Sequence, residues 1–374
     1  MRYDQIDAGL FERNRSRLRE LLGPGAVVIV HANDIMPTNA DGVMPFVQNR
    51  DLFYLSGVDQ EETVLMLFPD AVEERDREIL FVRETNELIS IWEGEKLTKE
   101  QATGVSGVKR VEWTKTFEAH WHRLMPQAES VYLLTNEHLR AEVVVESRNT
   151  RFIKKCREHY PLHRSERLAP LMHNLRIIKE DLEIAQLLKA IDITEAGFRR
   201  ALKFIKPGVG EWEVEAVYLH EFVRSRSRGF AYPPIVGSGR NACVLHYVEN
   251  QSVCRDGEMR LMDVGAEWAN WNADMTRTVP VNGRFTERQR AVYNAVKKVK
   301  EDSTAILRPG ITPTEWREQT VEMLEVERIK LGLIDVGEAG NQDPAEKPLV
   351  KKYYMHGIGH HLGRDVHDVC PPYE

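Results

Sequence analysis

Short apolar runs separated by charged segments of helical period recur through the first half of the chain. A polar-faced helix is predicted over residues 11–22 and stopped by Gly23-Pro24-Gly25, and the run Ala26-Val27-Val28-Ile29-Val30 follows at once as a strand. Further strands are predicted over 64–68, 79–82 and 131–134. Near-continuous apolar strands alternating with helices imply a sheet covered on both faces, so residues 1–175 read as one α/β domain. The expected boundary lies near 168–176. Beyond Lys179 a long amphipathic helix carries Ile184, Leu187, Leu188, Ile191, Phe198, Leu202 and Ile205 at helical spacing, ending at Pro207-Gly208.

That helix end has an echo. Phe204-Ile205-Lys206-Pro207-Gly208-Val209 matches Ile306-Leu307-Arg308-Pro309-Gly310-Ile311, and each is followed by Glu-Trp, Glu211-Trp212 and Glu315-Trp316. A duplicated half-domain is the expectation for residues 176–374. Between the repeats, residues 259–279 alternate as strand, turn, strand and carry Asp263 and Asp274. Two acids on paired strands could share a hard or borderline cation, although a strand-end Asp more often caps a turn or meets an arginine, here Arg277. The balance shifts with His356, His360, His361 and His367, interleaved with Gly357, Gly359 and Gly363, because glycines allow close backbone approach and neutral imidazole is a common ligand and proton carrier. His246 ends a strand-like run upstream of Asp263. Two other signals fail. Gly237-Ser238-Gly239 lacks the rest of a dinucleotide or phosphate loop, and His220-Glu221 has Arg224 where a zincin helix needs its second histidine.

Composition narrows the class. A chain of 374 residues that is 42% hydrophobic can hold two cores, and a net charge of −7 argues against a nucleic-acid partner. Four cysteines, Cys156, Cys243, Cys254 and Cys370, form no C-x-x-C pair, which fits a reducing compartment. The charged N-terminus has no apolar core of a signal peptide, and no run is long enough for a bilayer. A cytoplasmic protein with no membrane or nucleic-acid partner is expected.

The segment 231–250, the pair Asp263 and Asp274 with Thr276-Arg277-Thr278, and the run 355–369 together resemble the creatinase/prolidase/methionine-aminopeptidase superfamily. Within it the chain is most similar to the Xaa-Pro aminopeptidases (aminopeptidase P), and residues 48–57 resemble that branch's N-terminal domain. The resemblance implies an α/β (α+β) fold: a creatinase-like N-terminal domain over 1–175 and a pita-bread domain of two related halves over 176–374. It implies that Asp263 binds one metal, Asp274 bridges two, and His360 binds the other. It also makes His246, His356 and His367 substrate-holding histidines, with His356 and His367 stabilising the tetrahedral intermediate. Trp92 is a further candidate for packing or for contact with substrate. The expected cofactor is two Mn²⁺ per site, with Co²⁺, Zn²⁺ or Fe²⁺ as related occupants, and the expected reaction is attack of a dinuclear metal-bound hydroxide on an N-terminal Xaa-Pro bond. Such a bond has no amide N–H and a fixed φ, so a dedicated pocket is useful. Homo-dimers or tetramers are expected by the same resemblance.

The resemblance further implies two metal-binding glutamates on strands beyond His367-Asp368-Val369, which residues 370–374 do not supply. The expectation is therefore a pita-bread domain cut short at its C-terminus, with activity impaired. Two alternatives stand beside it: an Xaa-Pro dipeptidase (prolidase), and a module that binds peptide or partner without catalysis.

Overall fold

The computed structural model describes residues 3–138, 144–343 and 348–370. Compact packing divides the chain into two units, Met1–Lys189 with Trp268–Trp271, and Ala190–Glu267 with Asn272–Glu374.

The first unit is built on a six-stranded mixed sheet. In chain order its elements are α1 (Ala8–Glu20), β1 (Ala26–His31), α2 (Arg50–Ser56), β2 (Val64–Leu67), β3 (Glu78–Val82), α3 (Glu87–Glu93), α4 (Lys99–Ser106) and β4 (Val111–Trp113). There follow α5 (Phe117–Leu124), β5 (Ser130–Leu133), α6 (Arg148–His159), β6 (Arg164–Arg167), α7 (Ala169–Ile177) and the start of α8 (Asp181–Phe204). The strand order is β4-β3-β2-β1-β5-β6, with β1 antiparallel to β2 and parallel to β5. Because successive strand residues point to opposite faces, Val28, Val30, Leu65, Leu67, Leu80 and Val82 meet α1, α2, α4 and α7 on one side. Val27, Ile29, Met66, Ile79, Phe81 and Val131 meet Phe117 and Trp121 of α5 and Phe152 of α6 on the other. The doubly covered sheet expected from the apolar runs is therefore present. Its edge strand β6 was not legible, since Arg164-Ser165-Glu166-Arg167 is exposed throughout and carries no apolar signal.

A buried cation ties α1 to this core. The Arg15 guanidinium, 1% exposed, donates to the carbonyls of Leu55 and Ser106 at 2.7 and 2.9 Å and to Glu78 Oε1 at 2.7 Å. The same unit includes a two-residue hairpin tip between β9 (Glu267–Trp268) and β10 (Trp271–Asn272), where Ala269 and Asn270 take positive φ of 51° and 70°. Asn270 Oδ1 accepts from Arg50 at 3.0 Å, its Nδ2 donates to Asp59 at 3.0 Å, and Trp271 packs edge-on to Phe53.

In the second unit α8 runs to Phe204 and is followed by α9 (Glu211–Arg224), then β7 (Ile235–Ser238), β8 (Met259–Val264) and β11 (Met275–Pro280), which form an antiparallel sheet in the order β11-β8-β7. Helices α10 (Glu287–Ala305) and α11 (Pro313–Lys330) follow. The sequence echo is a structural one. Each copy is a helix, a turn whose glycine holds positive φ (Gly208 +91°, Gly310 +96°) and a second helix carrying the Glu-Trp pair in its first turns. No helix among the described residues is long and apolar enough to cross a membrane.

Replacing Arg15 with Met should lower the stability of the folded chain by about 3 kcal/mol, because two buried carbonyls and Glu78 lose their donor. Urea unfolding followed by circular dichroism measures it. A loss below about 0.5 kcal/mol would show that the buried guanidinium is not a structural anchor.

Candidate metal centre

Strand β8 lies at the middle of its sheet, and its register sets Asp263 opposite Ile235 on β7 and Thr276 on β11. The chain then leaves β8 through Gly265, where a Cβ would stand 1.7 Å from the Ala273 carbonyl oxygen. Only glycine permits that approach. The Ala273 N–H donates to the Ala266 carbonyl at 3.0 Å, and Asp274 emerges immediately before β11. The two carboxylates are thus brought to one hydroxyl. Tyr232 Oη is 2.6 Å from Asp263 Oδ1 and 3.1 Å from Asp274 Oδ1.

The histidine-rich segment is delivered by backbone hydrogen bonds. Buried Asn272 donates its N–H to the Gly363 carbonyl at 3.0 Å and its Nδ2 to the Arg364 carbonyl at 2.6 Å. The Asp368 N–H closes the loop on the His361 carbonyl at 3.0 Å. His360 Nε2 then stands 3.2 Å from Asp274 Oδ2, its Nδ1 2.9 Å from the His361 carbonyl oxygen, and its ring stacks on His367 with centroids 3.7 Å apart. Four of the residues singled out from sequence, Asp263, Asp274, His360 and His367, are therefore brought together.

The electrostatics of the two acids diverge. Burial raises the Asp263 carboxyl, and the neighbouring Asp274 charge adds to this against hydrogen bonds from Tyr232 and Thr276, leaving it above the ordinary carboxylate range. For Asp274 burial acts in the same direction, but the hydrogen bond and charge of His360 together with Tyr232 prevail and hold it below that range. The phenol of Tyr232 is pushed upward by burial and by both carboxylates, so it remains a proton donor. Arg277 is not the counter-ion of the pair, since its guanidinium donates to the Thr276 carbonyl at 2.7 Å.

The three remaining sequence candidates are all exposed. His246 lies in an exposed turn before buried Tyr247. His356 is exposed, with its ring 4.3 Å from Tyr354 and its Nδ1 2.8 Å from the Gly357 carbonyl oxygen. Trp92 lies on α3 of the first unit and is 80% exposed. Tyr232, Asn272 and Glu211 were missed by sequence reasoning. Tyr232 lies inside the segment that carried the resemblance and Glu211 inside the Glu-Trp echo, whereas nothing local marks Asn272.

Glu211 opens α9 and gathers the loop that carries His246. Its Oε1 accepts from the Ser238 N–H and hydroxyl at 2.6 and 2.7 Å, and its Oε2 from the Tyr247 hydroxyl and Ser252 N–H at 2.7 and 2.9 Å. Burial opposes the charge of this fully buried carboxylate, but those donors outweigh it and its pKa lies below the ordinary value.

In kind, the donors suit a divalent cation: two carboxylates sharing one hydroxyl, with an imidazole against the second, are hard and borderline donors, and the repulsion between the acids is what a cation would relieve. Among the described residues, no three or more His, Cys, Asp or Glu side chains are grouped so that they could hold a metal ion as they stand.

With this geometry established, comparison with known proteins defines the class. The model of metallopeptidase family M24 matches residues 185–374, and that of the aminopeptidase P N-terminal domain matches residues 11–132. The chain belongs to metallopeptidase family M24, among its Xaa-Pro aminopeptidases, with the N-terminal domain and pita-bread domain of that branch. It is 34% identical to the Xaa-Pro aminopeptidase of Escherichia coli K12 over 98% of its own length and 82% of the relative's. It is similar in structure to an aminopeptidase P from Bacillus anthracis (TM-score 0.88, 31% identity, 98% of this chain and 84% of that one). A zinc-substituted aminopeptidase P of Escherichia coli in complex with product is also similar (TM-score 0.83, 32% identity, 98% and 83%).

Glu211→Gln should destabilise the fold by about 2 kcal/mol at neutral pH, because an amide nitrogen faces donors that the carboxylate satisfied. Since the folded carboxyl lies below its unfolded value, its contribution is fully present above about pH 4.5 and is lost as pH falls through the folded pKa. The gap between wild type and variant should therefore narrow in acid, as read from urea midpoints between pH 7 and pH 3. A gap that stays constant or widens would contradict the assignment.

Proposed function

We propose that the chain hydrolyses the peptide bond between an N-terminal residue and a following proline, at a dinuclear site for which Asp263 and Asp274 provide carboxylates and His360 an imidazole. The observation that carries this reading is the shared Tyr232 hydroxyl, which keeps two repelling acids in one place, with His360 against the second. Asp274 would serve both cations. Mn²⁺ suits the carboxylate-rich donors, and Co²⁺, Zn²⁺ or Fe²⁺ are plausible occupants on the same chemistry. Divalent cations supply Lewis acidity towards the scissile carbonyl and lower the pKa of attacking water.

The chain's own groups do the remaining work. Tyr232 fixes the carboxylate oxygens it bonds and keeps its proton across the working pH range. His367, stacked on His360, and His356 are assigned to the oxygen that gains charge in the tetrahedral intermediate, and His246 to holding the peptide. Glu211 would position His246 through its loop. Trp92 remains a candidate substrate contact. The domain division is proposed at 175/176, residence in the cytoplasm accords with the free cysteines, and assembly as a dimer or tetramer accompanies the family assignment.

Metal content and hydrolysis test this on one sample. After Mn²⁺ loading and gel filtration, wild type should retain Mn²⁺ and cleave an Xaa-Pro-Xaa tripeptide faster than an Xaa-Pro dipeptide. Asp274→Ala should lose the metal; unchanged metal content in that variant would sink the assignment. A dipeptide preference would favour prolidase, and retention of metal without any cleavage would favour a binding module.

His246→Ala and His356→Ala should keep wild-type metal content while turnover falls by about 10²-fold or more, the scale expected for a group that stabilises charge at the reacting centre. Loss of metal in either would place that histidine among the ligands.

A further inference from the structure

On the α5/α6 side of the first unit's sheet lies a cavity of about 320 Å³ that the peptidase reading does not use. It is lined by His31 at the end of β1, by Phe117 and Phe152, and by three cations of α6 or its first turn, Arg148, Arg151 and Lys155. Helical spacing puts these cations on one face. Two are already matched: Arg151 pairs with Asp34 at 2.6 Å and Lys155 with Glu118 at 2.7 Å. Arg148 makes no hydrogen bond or ion pair with any described residue, although it is half-buried and also lines the adjoining cleft beside Asn33 and Glu62.

His31 is the second, independent anomaly. Its ring is 5% exposed and sits 4.5 Å from Phe152 and 5.3 Å from Phe117, and neither ring nitrogen has a hydrogen-bond partner. A buried imidazole must carry at least one N–H, and leaving that donor unmatched is unfavourable. Burial, followed by the charges of Arg148, Arg151 and Lys155, pulls its pKa down to about 3, so the ring is neutral. Burial likewise pushes the Arg148 guanidinium down, against the attraction of Glu62 and Asp34. The position is fixed from the backbone: Asn149 accepts from the His31 N–H at 3.1 Å and donates to the His31 carbonyl at 3.2 Å, which clamps the start of α6 to the end of β1.

We propose that this cavity binds a small organic anion, a single carboxylate or phosphate on a compact apolar body, with Arg148 as charge partner, His31 as buried N–H donor and Phe117 and Phe152 as the apolar wall. A half-buried guanidinium without a hydrogen-bond or ion-pair partner among the described residues, together with an unsatisfied donor, favours an oxyanion, and the two aromatic rings favour a body over a bare ion. The volume lies at the lower end of small-ligand sites.

The full chain, freed of metal with EDTA so that anions cannot bind at a cation, would be titrated with benzoate and with inorganic phosphate. Binding would be read by calorimetry and by the His31 ring ¹⁵N resonances. Saturable binding of either probe that moves those resonances, persists in Asp274→Ala and weakens by at least about tenfold in Arg148→Gln is expected, the loss being on the scale of one charge-assisted hydrogen bond. Benzoate without phosphate would identify an organic carboxylate as the ligand class, and phosphate alone a phosphate-bearing one. Arg148 is half-buried at the start of α6, and circular dichroism would confirm that the variant folds. No saturable binding of either probe, or equal binding in folded Arg148→Gln, would overturn the proposal.

Discussion

Two carboxylates held against one phenol hydroxyl, inside a protein, are the constraint on which the proposed chemistry of this chain rests. Asp263 and Asp274 repel one another, and burial strengthens that repulsion by removing the water that would screen it. The fold holds them there through the β8–β11 register and through Gly265, the only residue type that can pass the Ala273 carbonyl so closely. Tyr232 and His360 relieve part of the strain by donating to the acids. In the proposed reading, the rest favours capture of a cation.

Asn272 links that pair to the histidine segment. It lies two residues before Asp274 and uses its N–H and its amide to hold the Gly363 and Arg364 carbonyls. The short stretch from Asn272 to Asp274 therefore both presents the second carboxylate and fixes the loop that carries His360 and His367. Beside β7, Glu211 performs a comparable task for the loop of His246, with a carboxylate as the acceptor. The candidate histidines thus sit on irregular segments anchored by polar side chains of regular elements, which is how a loop can be both adaptable and placed.

Much of this was legible in the sequence for identifiable reasons. The apolar runs over 26–30, 64–68 and 79–82 predicted β1, β2 and β3 because each is buried on both faces and so carries no polar interruption. The Pro-Gly echo exposed the duplicated helix pair because both turns need a glycine at positive φ. Edge strand β6 escaped because it is wholly exposed. Tyr232, Asn272 and Glu211 escaped because each acts across 27 or more residues of sequence, and pairing at that range follows from tertiary packing rather than from local pattern. His31 and Arg148 were invisible for the same reason, being joined only where the end of β1 meets the start of α6.

The most direct test of the central claim is to locate bound metal. Anomalous diffraction at the manganese edge from crystals grown with Mn²⁺ should show density between Asp263, Asp274 and His360, with Asp274 reaching every cation present. Density elsewhere in the chain, or none beside Asp274 under saturating Mn²⁺, would contradict the account.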